Sequence, residues 1–212
     1  MILCQNTASM ATITPTNDRI IRTALKETLR ALHAHDERLR IVEEFGVEHG
    51  AVRADIAVVN GLLHGYEIKS DRDTLLRLPE QMEAYSSVFD RVTLVVGKQH
   101  LYDAIRIVPD WWGITVAKIG SDNSVLLNPI RQAGDNNDQR NISIARLLWR
   151  NEALRILEEA GEADGLRSKP REAIYQKLSV MLDQAALETK VREALFIRED
   201  WRSDAPLMLN GG

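Results

Sequence analysis

The side chains best suited to chemistry lie in the run Arg53-Ala-Asp55-Ile-Ala-Val-Val-Asn-Gly-Leu-Leu-His-Gly-Tyr-Glu67-Ile-Lys69. Successive side chains alternate across a strand, so Glu67 and Lys69 at i and i+2 share one face while Ile68 points to the other. Charged groups in so apolar a strand are costly unless paired with each other, a metal or water. As a surface ion pair on an edge strand the two would contribute only about 0–1 kcal/mol, but the flanking apolar residues favour a central strand. Whether Asp55 joins them depends on the turn. A two-residue Asn60-Gly61 turn pairs Asp55 with Tyr66 and puts Glu67 on the opposite face. A three-residue loop from Asn60 to Leu62 pairs Asp55 with Glu67. Convergence therefore demands an odd-length loop, or a bulge. Two converging carboxylates suit Mg²⁺, with Mn²⁺ as a substitute. Such an ion polarises a phosphodiester and activates water, and Lys69 would orient or deprotonate that water.

The elements that must position these groups follow from periodicity. From about Asn17, Ile20, Ile21, Leu25, Leu29, Leu32, Leu39, Ile41 and Val42 predict one long helix, or two joined near His33 to Asp36, stopping at Gly46. Val52 to Val59 and Leu62 to Ile68 read as a β-hairpin. Leu75 to Phe89 returns to helical spacing, with Pro79 as an alternative first turn. Val92 to Val96 reads as a buried strand, His100 to Ile107 as a short helix, and Ile114 to Ile119 as another strand. The order predicts an α/β fold, a mixed central β-sheet with helices on both faces. Asn, Asp, Gln and Gly dominate from Gly120 to Asn141, which reads as a linker. Three amphipathic helices follow, Ile142 to Ala160, Pro170 to Leu182 and Ala186 to Trp201. The implied organisation is a flexible tail at 1–16, a core at 17–120, a linker at 121–141, a helical region at 142–205 and a tail at 206–212.

Composition narrows the function classes. A net charge of −4 argues against a protein coating nucleic acid over its whole surface, yet permits a local basic groove. Cys4 alone forms no internal disulfide and no cysteine zinc cluster, and the five histidines lack zinc-ligand spacing. No signal peptide or membrane span is legible, so a cytoplasmic location is expected. Ser70 to Asp73 reads as a capping segment. In the C-terminal helices, acids accompany Arg146, Arg150, Arg155, Arg167, Lys169, Arg171 and Lys177, which suits helical packing, dimerisation or docking of a protein partner as well as phosphate contact.

Asp, a short gap and Glu-x-Lys on a hairpin resemble the PD-(D/E)XK nuclease superfamily, and Arg53-Ala-Asp55 with Gly65-Tyr-Glu67-Ile-Lys69-Ser-Asp71 resembles its sce7726-like group. The superfamily's proline is absent, since Ala54 precedes Asp55. Gln81 and Tyr85 form a Gln-x-x-x-Tyr pair like the one some members place beside the metal. Glu43-Glu44 stands where the superfamily often supplies another acid, with Glu44 the favoured ligand. The resemblance implies a restriction-endonuclease-like core with a C-terminal helical appendage and Mg²⁺-dependent DNA hydrolysis. Asp55, Glu67 and Lys69 would be catalytic, Asp55, Glu67 and Glu44 would bind metal, and Gln81, Tyr85 and Arg53 would support the site. RNA remains compatible as substrate, and cutting both strands would favour a homodimer. The alternative is a non-cleaving nucleic-acid-binding or assembly module on the same fold.

Overall fold

The structure is a computed structural model and describes residues 14–199 and 201. Its centre is a six-stranded sheet whose spatial order follows the chain: β1 (Arg40–Val47), β2 (Val52–Val59), β3 (Leu63–Lys69), β4 (Arg91–Gly97), β5 (Gly113–Ile119) and β6 (Val125–Arg131). Pairing is antiparallel through β1, β2 and β3, parallel through β3, β4 and β5, and antiparallel again at β6. The parallel steps need crossovers, supplied by α2 (Leu78–Ser86) and α3 (Leu101–Ile107).

One face is covered by α1 (Asp18–Leu32). Asn17 caps it, its side chain accepting from Ile20 N, and Ile21, Leu25 and Leu29 fall at i, i+4 and i+8 to form one apolar stripe. That stripe packs on Ile56, Val58, Tyr66 and Ile68. The opposite face carries α2 together with α4 (Asn141–Ala145), α5 (Arg150–Glu159), α6 (Arg171–Met181) and α7 (Gln184–Ile197). Ile144, Leu157, Tyr175, Leu178 and Leu195 share a single core with Ala57, Val59, Leu94 and Val96 of the sheet. The C-terminal helices thus complete the main core instead of standing off it as an appendage.

Several expectations need correction. The helical reading of Leu39, Ile41 and Val42 fails, because residues 40–47 are β1, a strand at the edge of the sheet that pairs only with β2 among the described residues. Residues 121–141 contain β6, paired along β5 from Ile119↔Val125 to Ile114↔Arg131, so that segment is part of the sheet and not simply a linker. The helix expected over residues 142–160 is two helices, with Trp149 in extended conformation between them. At the end of the presumed N-terminal tail, Thr16 is fully buried and its N and Oγ1 donate to Asp71 Oδ2, each at 2.8 Å. The remaining tail assignments, residues 1–13 and 202–212, lie outside the described residues.

His64 gives a pH test of β3. Its ring stacks on Tyr66 with centroids 4.3 Å apart, and its Nε2 lies 2.9 Å from Thr93 Oγ1. Burial first, then the neighbouring Arg91 charge, push its pKa from 6.5 down to about 3. An unfolded histidine binds a proton near pH 6.5 while the folded one stays neutral until about 3, so His64 destabilises the fold as pH falls through that window. Wild type should lose stability faster than His64→Phe between pH 7 and 4, by up to about 1.4 kcal/mol per pH unit. Parallel urea-unfolding profiles for the two proteins would remove His64 as the titrating group.

Candidate functional site

The β2–β3 pairing runs from Val59↔Leu63 to Ile56↔Tyr66, leaving Asn60, Gly61 and Leu62 as an odd, three-residue loop. Gly61 takes φ +99°, a left-handed conformation that suits a residue without Cβ. One step further along the same register, Asp55 stands opposite Glu67. There the ladder opens, and the Asp55 carboxylate replaces a backbone partner: Ile68 N donates to its Oδ2 at 2.6 Å.

Glu67 is only 2% exposed, yet both its oxygens are engaged. Lys69 Nζ and Gln81 Nε2 each donate to Oε1 at 2.6 Å, and the Tyr85 hydroxyl lies 2.6 Å from Oε2. The same hydroxyl is 2.6 Å from the Arg53 carbonyl, so its single proton serves two acceptors. Helix α2 delivers Gln81 and Tyr85 on one face because they are four residues apart. It sits close because β3 carries Gly65, where a Cβ would come within 2.9 Å of the Phe89 ring just beyond that helix.

Arg22 of α1 completes the arrangement. It donates to Asp55 Oδ1 at 2.6 Å and to the Asp55 carbonyl at 2.9 Å, and pairs with Asp18 and Glu44, each at 3.1 Å. Burial raises the proton affinity of Asp55 and Glu67, and the negative charge of Asp55 raises that of Glu67 further. Burial, then the Glu67 charge, also push the Tyr85 phenol well above its ordinary range. The cluster is therefore a buried acid pair bonded to Lys69 on one side and to Arg22 on the other.

Asp55, Glu67, Lys69, Gln81 and Tyr85 thus converge, and Arg53 contributes its carbonyl. Glu44 does not follow expectation. It sits mid-strand on β1 at φ +52°, not at a helix end, and Arg22 separates its carboxylate from the cluster. Asp73 accepts from Ser70 N and Oγ, at 2.7 and 2.6 Å, closing the turn after β3. Sequence reasoning missed Arg22; the signal available was only Asp18 and Arg22 at i and i+4 beside the apolar stripe. Among the described residues, no group of three or more His, Cys, Asp or Glu is arranged to hold a metal ion.

Comparison with known proteins assigns these residues elsewhere than the nuclease superfamily. A model of the family described as Bacteriophage P4 protein cII matches residues 13–207. Protein cII of Enterobacteria phage P4 is 35% identical over 94 residues, which make up 44% of this chain and 35% of that protein. The matched region thus spans about a third of the curated relative. A solved structure, the SPO1766 protein of unknown function from Silicibacter pomeroyi, aligns with TM-score 0.39 and 20% identity over 69% of this chain and 91% of that one. The family match includes every residue from Glu43 to Tyr85 on which the PD-(D/E)XK resemblance rested. It overturns that assignment and its sce7726-like refinement, and with them the reading of the chain as a DNA-cleaving hydrolase.

Proposed function

This chain belongs to the bacteriophage P4 protein cII family, and from that premise we propose that it is a phage regulatory protein that acts by binding DNA. The observation behind this reading is the family match over residues 13–207, and the buried centre is closed, since all four carboxylate oxygens of Asp55 and Glu67 accept from groups of the same chain. Such a centre holds β2, β3, α1 and α2 in register and leaves recognition to the surface. A cytoplasmic setting belongs to the same proposal; among the described residues no helix is long and apolar enough to cross a membrane. Labelled DNA should bind in EDTA, as read by fluorescence anisotropy. A strict requirement for divalent metal would sink the closed-centre reading.

One observation favours a second reading, in which Mg²⁺ or Mn²⁺ enters the centre. Gln81 is 5% exposed, and its Oε1 is a buried acceptor without a donor among the described residues. An oxygen of that kind beside two carboxylates suits a hard cation. The ion would have to displace Lys69 from Glu67 and Arg22 from Asp55. Calorimetry with MnCl₂ separates the readings. Heat of binding that disappears in Glu67→Gln supports the cation, whereas no heat at millimolar Mn²⁺ supports a closed centre.

A further inference from the structure

We infer that the cleft between the outer edge of β1 and the N-terminal ends of α5 and α6 is a binding site for single-stranded DNA, with Arg40, Arg150 and Arg171 as its phosphate contacts. The inference rests on the reading of DNA as partner and names where it binds. The cleft has a volume of about 860 Å³ and is lined by five arginines against two acids, Glu43 and Glu44.

Charge accounting singles out three of the five. Glu43 and Glu44 are already paired with Lys26 and Arg22 of α1. Arg146 is held by Glu48 and Glu172, and Arg198 by Glu152. Among the described residues Arg40 and Arg150, by contrast, donate only to carbonyls: Arg40 to Phe196 O, and Arg150 to Arg167 O and Lys169 O. Arg171 is exposed, and its side chain makes no hydrogen bond or ion pair among the described residues. Among the described residues none of the three forms an ion pair with a carboxylate. His49, on the same wall, has its proton affinity lowered by burial and then by the charges of Arg171 and Arg146, against the opposing charges of Glu172 and Glu48.

The rest of the lining suits a nucleic-acid strand. Arg198 lies 4.4 Å above the Trp149 ring and 4.7 Å above that of Trp201, so this wall is both aromatic and cationic. The Trp201 indole N–H is a buried donor with no acceptor among the described residues. An acidic peptide added to the edge of β1 fits less well, because Glu44 at φ +52° breaks the regular run of backbone donors and acceptors such an addition needs.

The test is fluorescence anisotropy with a labelled oligothymidylate and the full chain. Arg171→Glu breaks no ion pair or side-chain hydrogen bond among the described residues and should weaken binding about tenfold. Arg40→Gln/Arg150→Gln/Arg171→Gln should also flatten the dependence of log K on log salt by about 2, at about 0.7 per lost phosphate contact. Should Arg171→Glu bind like wild type with an unchanged slope, the cleft is not the contact face, while DNA binding as such stands. If wild type ignores the single strand but binds duplex, the site assignment falls and the DNA reading survives. Binding of polyglutamate with no binding of either DNA overturns both.

Discussion

Arg198→Ala is expected to destabilise the protein by about 3–5 kcal/mol, the cost of stranding one member of a buried ion pair. The Arg198 and Glu152 side chains are 5% and 9% exposed, and the guanidinium donates to both Glu152 oxygens, at 2.5 and 2.9 Å, and to Leu147 O at 3.0 Å. Glu152 Oε2 also accepts from Trp149 N at 2.6 Å, bonding back from the first turn of α5 to the residue that caps it. One guanidinium therefore joins the α4–α5 link, the start of α5 and the chain leaving α7. Its removal leaves a carboxylate among Trp149, Leu147 and Trp201 with one donor in place of three. In a chain of this size the expected fall in melting temperature is roughly 6–20 °C. Arg198→Lys should fall between the two, because an ammonium keeps the charge and loses the fork. A melting temperature for Arg198→Ala within a degree or two of wild type would show that the pair ties nothing down.

The parts of this fold that could be read from sequence are those whose burial leaves a periodic trace. Strands β2, β3, β4 and β5 have neighbours on both sides, and their apolar runs were recognisable. The two edge strands were not. In β1 the left-handed Glu44 interrupts the alternation, and Leu39, Ile41 and Val42 fall at spacings that extend the preceding helical stripe. In β6, Leu126 and Ile130 are exposed and Pro129 stands inside the strand, tolerable at an edge where one side needs no donor. The break at Trp149 was hidden because Leu147, Leu148 and Ala153 are all buried, so the apolar pattern runs on across it. Convergence of Asp55 with Glu67 followed from loop parity, once the loop proved to have three residues. Arg22 could not have been assigned, since nothing in α1 specifies which strand its polar margin meets. Residue types at Glu43 to Tyr85 were compatible with more than one family, and only a match along most of the chain discriminated.

The buried centre yields the second large effect. Lys69→Met should cost about 3–5 kcal/mol near pH 8, because Glu67 would then be buried beside Asp55 without its nearest cation. The side chains of Lys69 and Glu67 are 12% and 3% exposed, so water does little to replace the lost partner. The deficit should depend on pH with a definite sign. Burial and the Asp55 charge raise the Glu67 proton affinity in the folded protein, so its folded pKa lies above the unfolded one. The penalty is then full above the folded pKa and relieved as pH falls toward the ordinary carboxylate range, where the folded acid takes up its proton first. Urea unfolding at pH 8 and pH 5.5 should accordingly give a larger loss at the higher pH. The double variant Glu67→Gln/Lys69→Met should recover most of the wild-type stability, since a neutral amide still bonds Tyr85 and no charge is left stranded. A loss that is equal at both pH values, or that persists in the double variant, would mean that Lys69 acts through its aliphatic packing. The ion pair would then not be what keeps an acid at this position of β3.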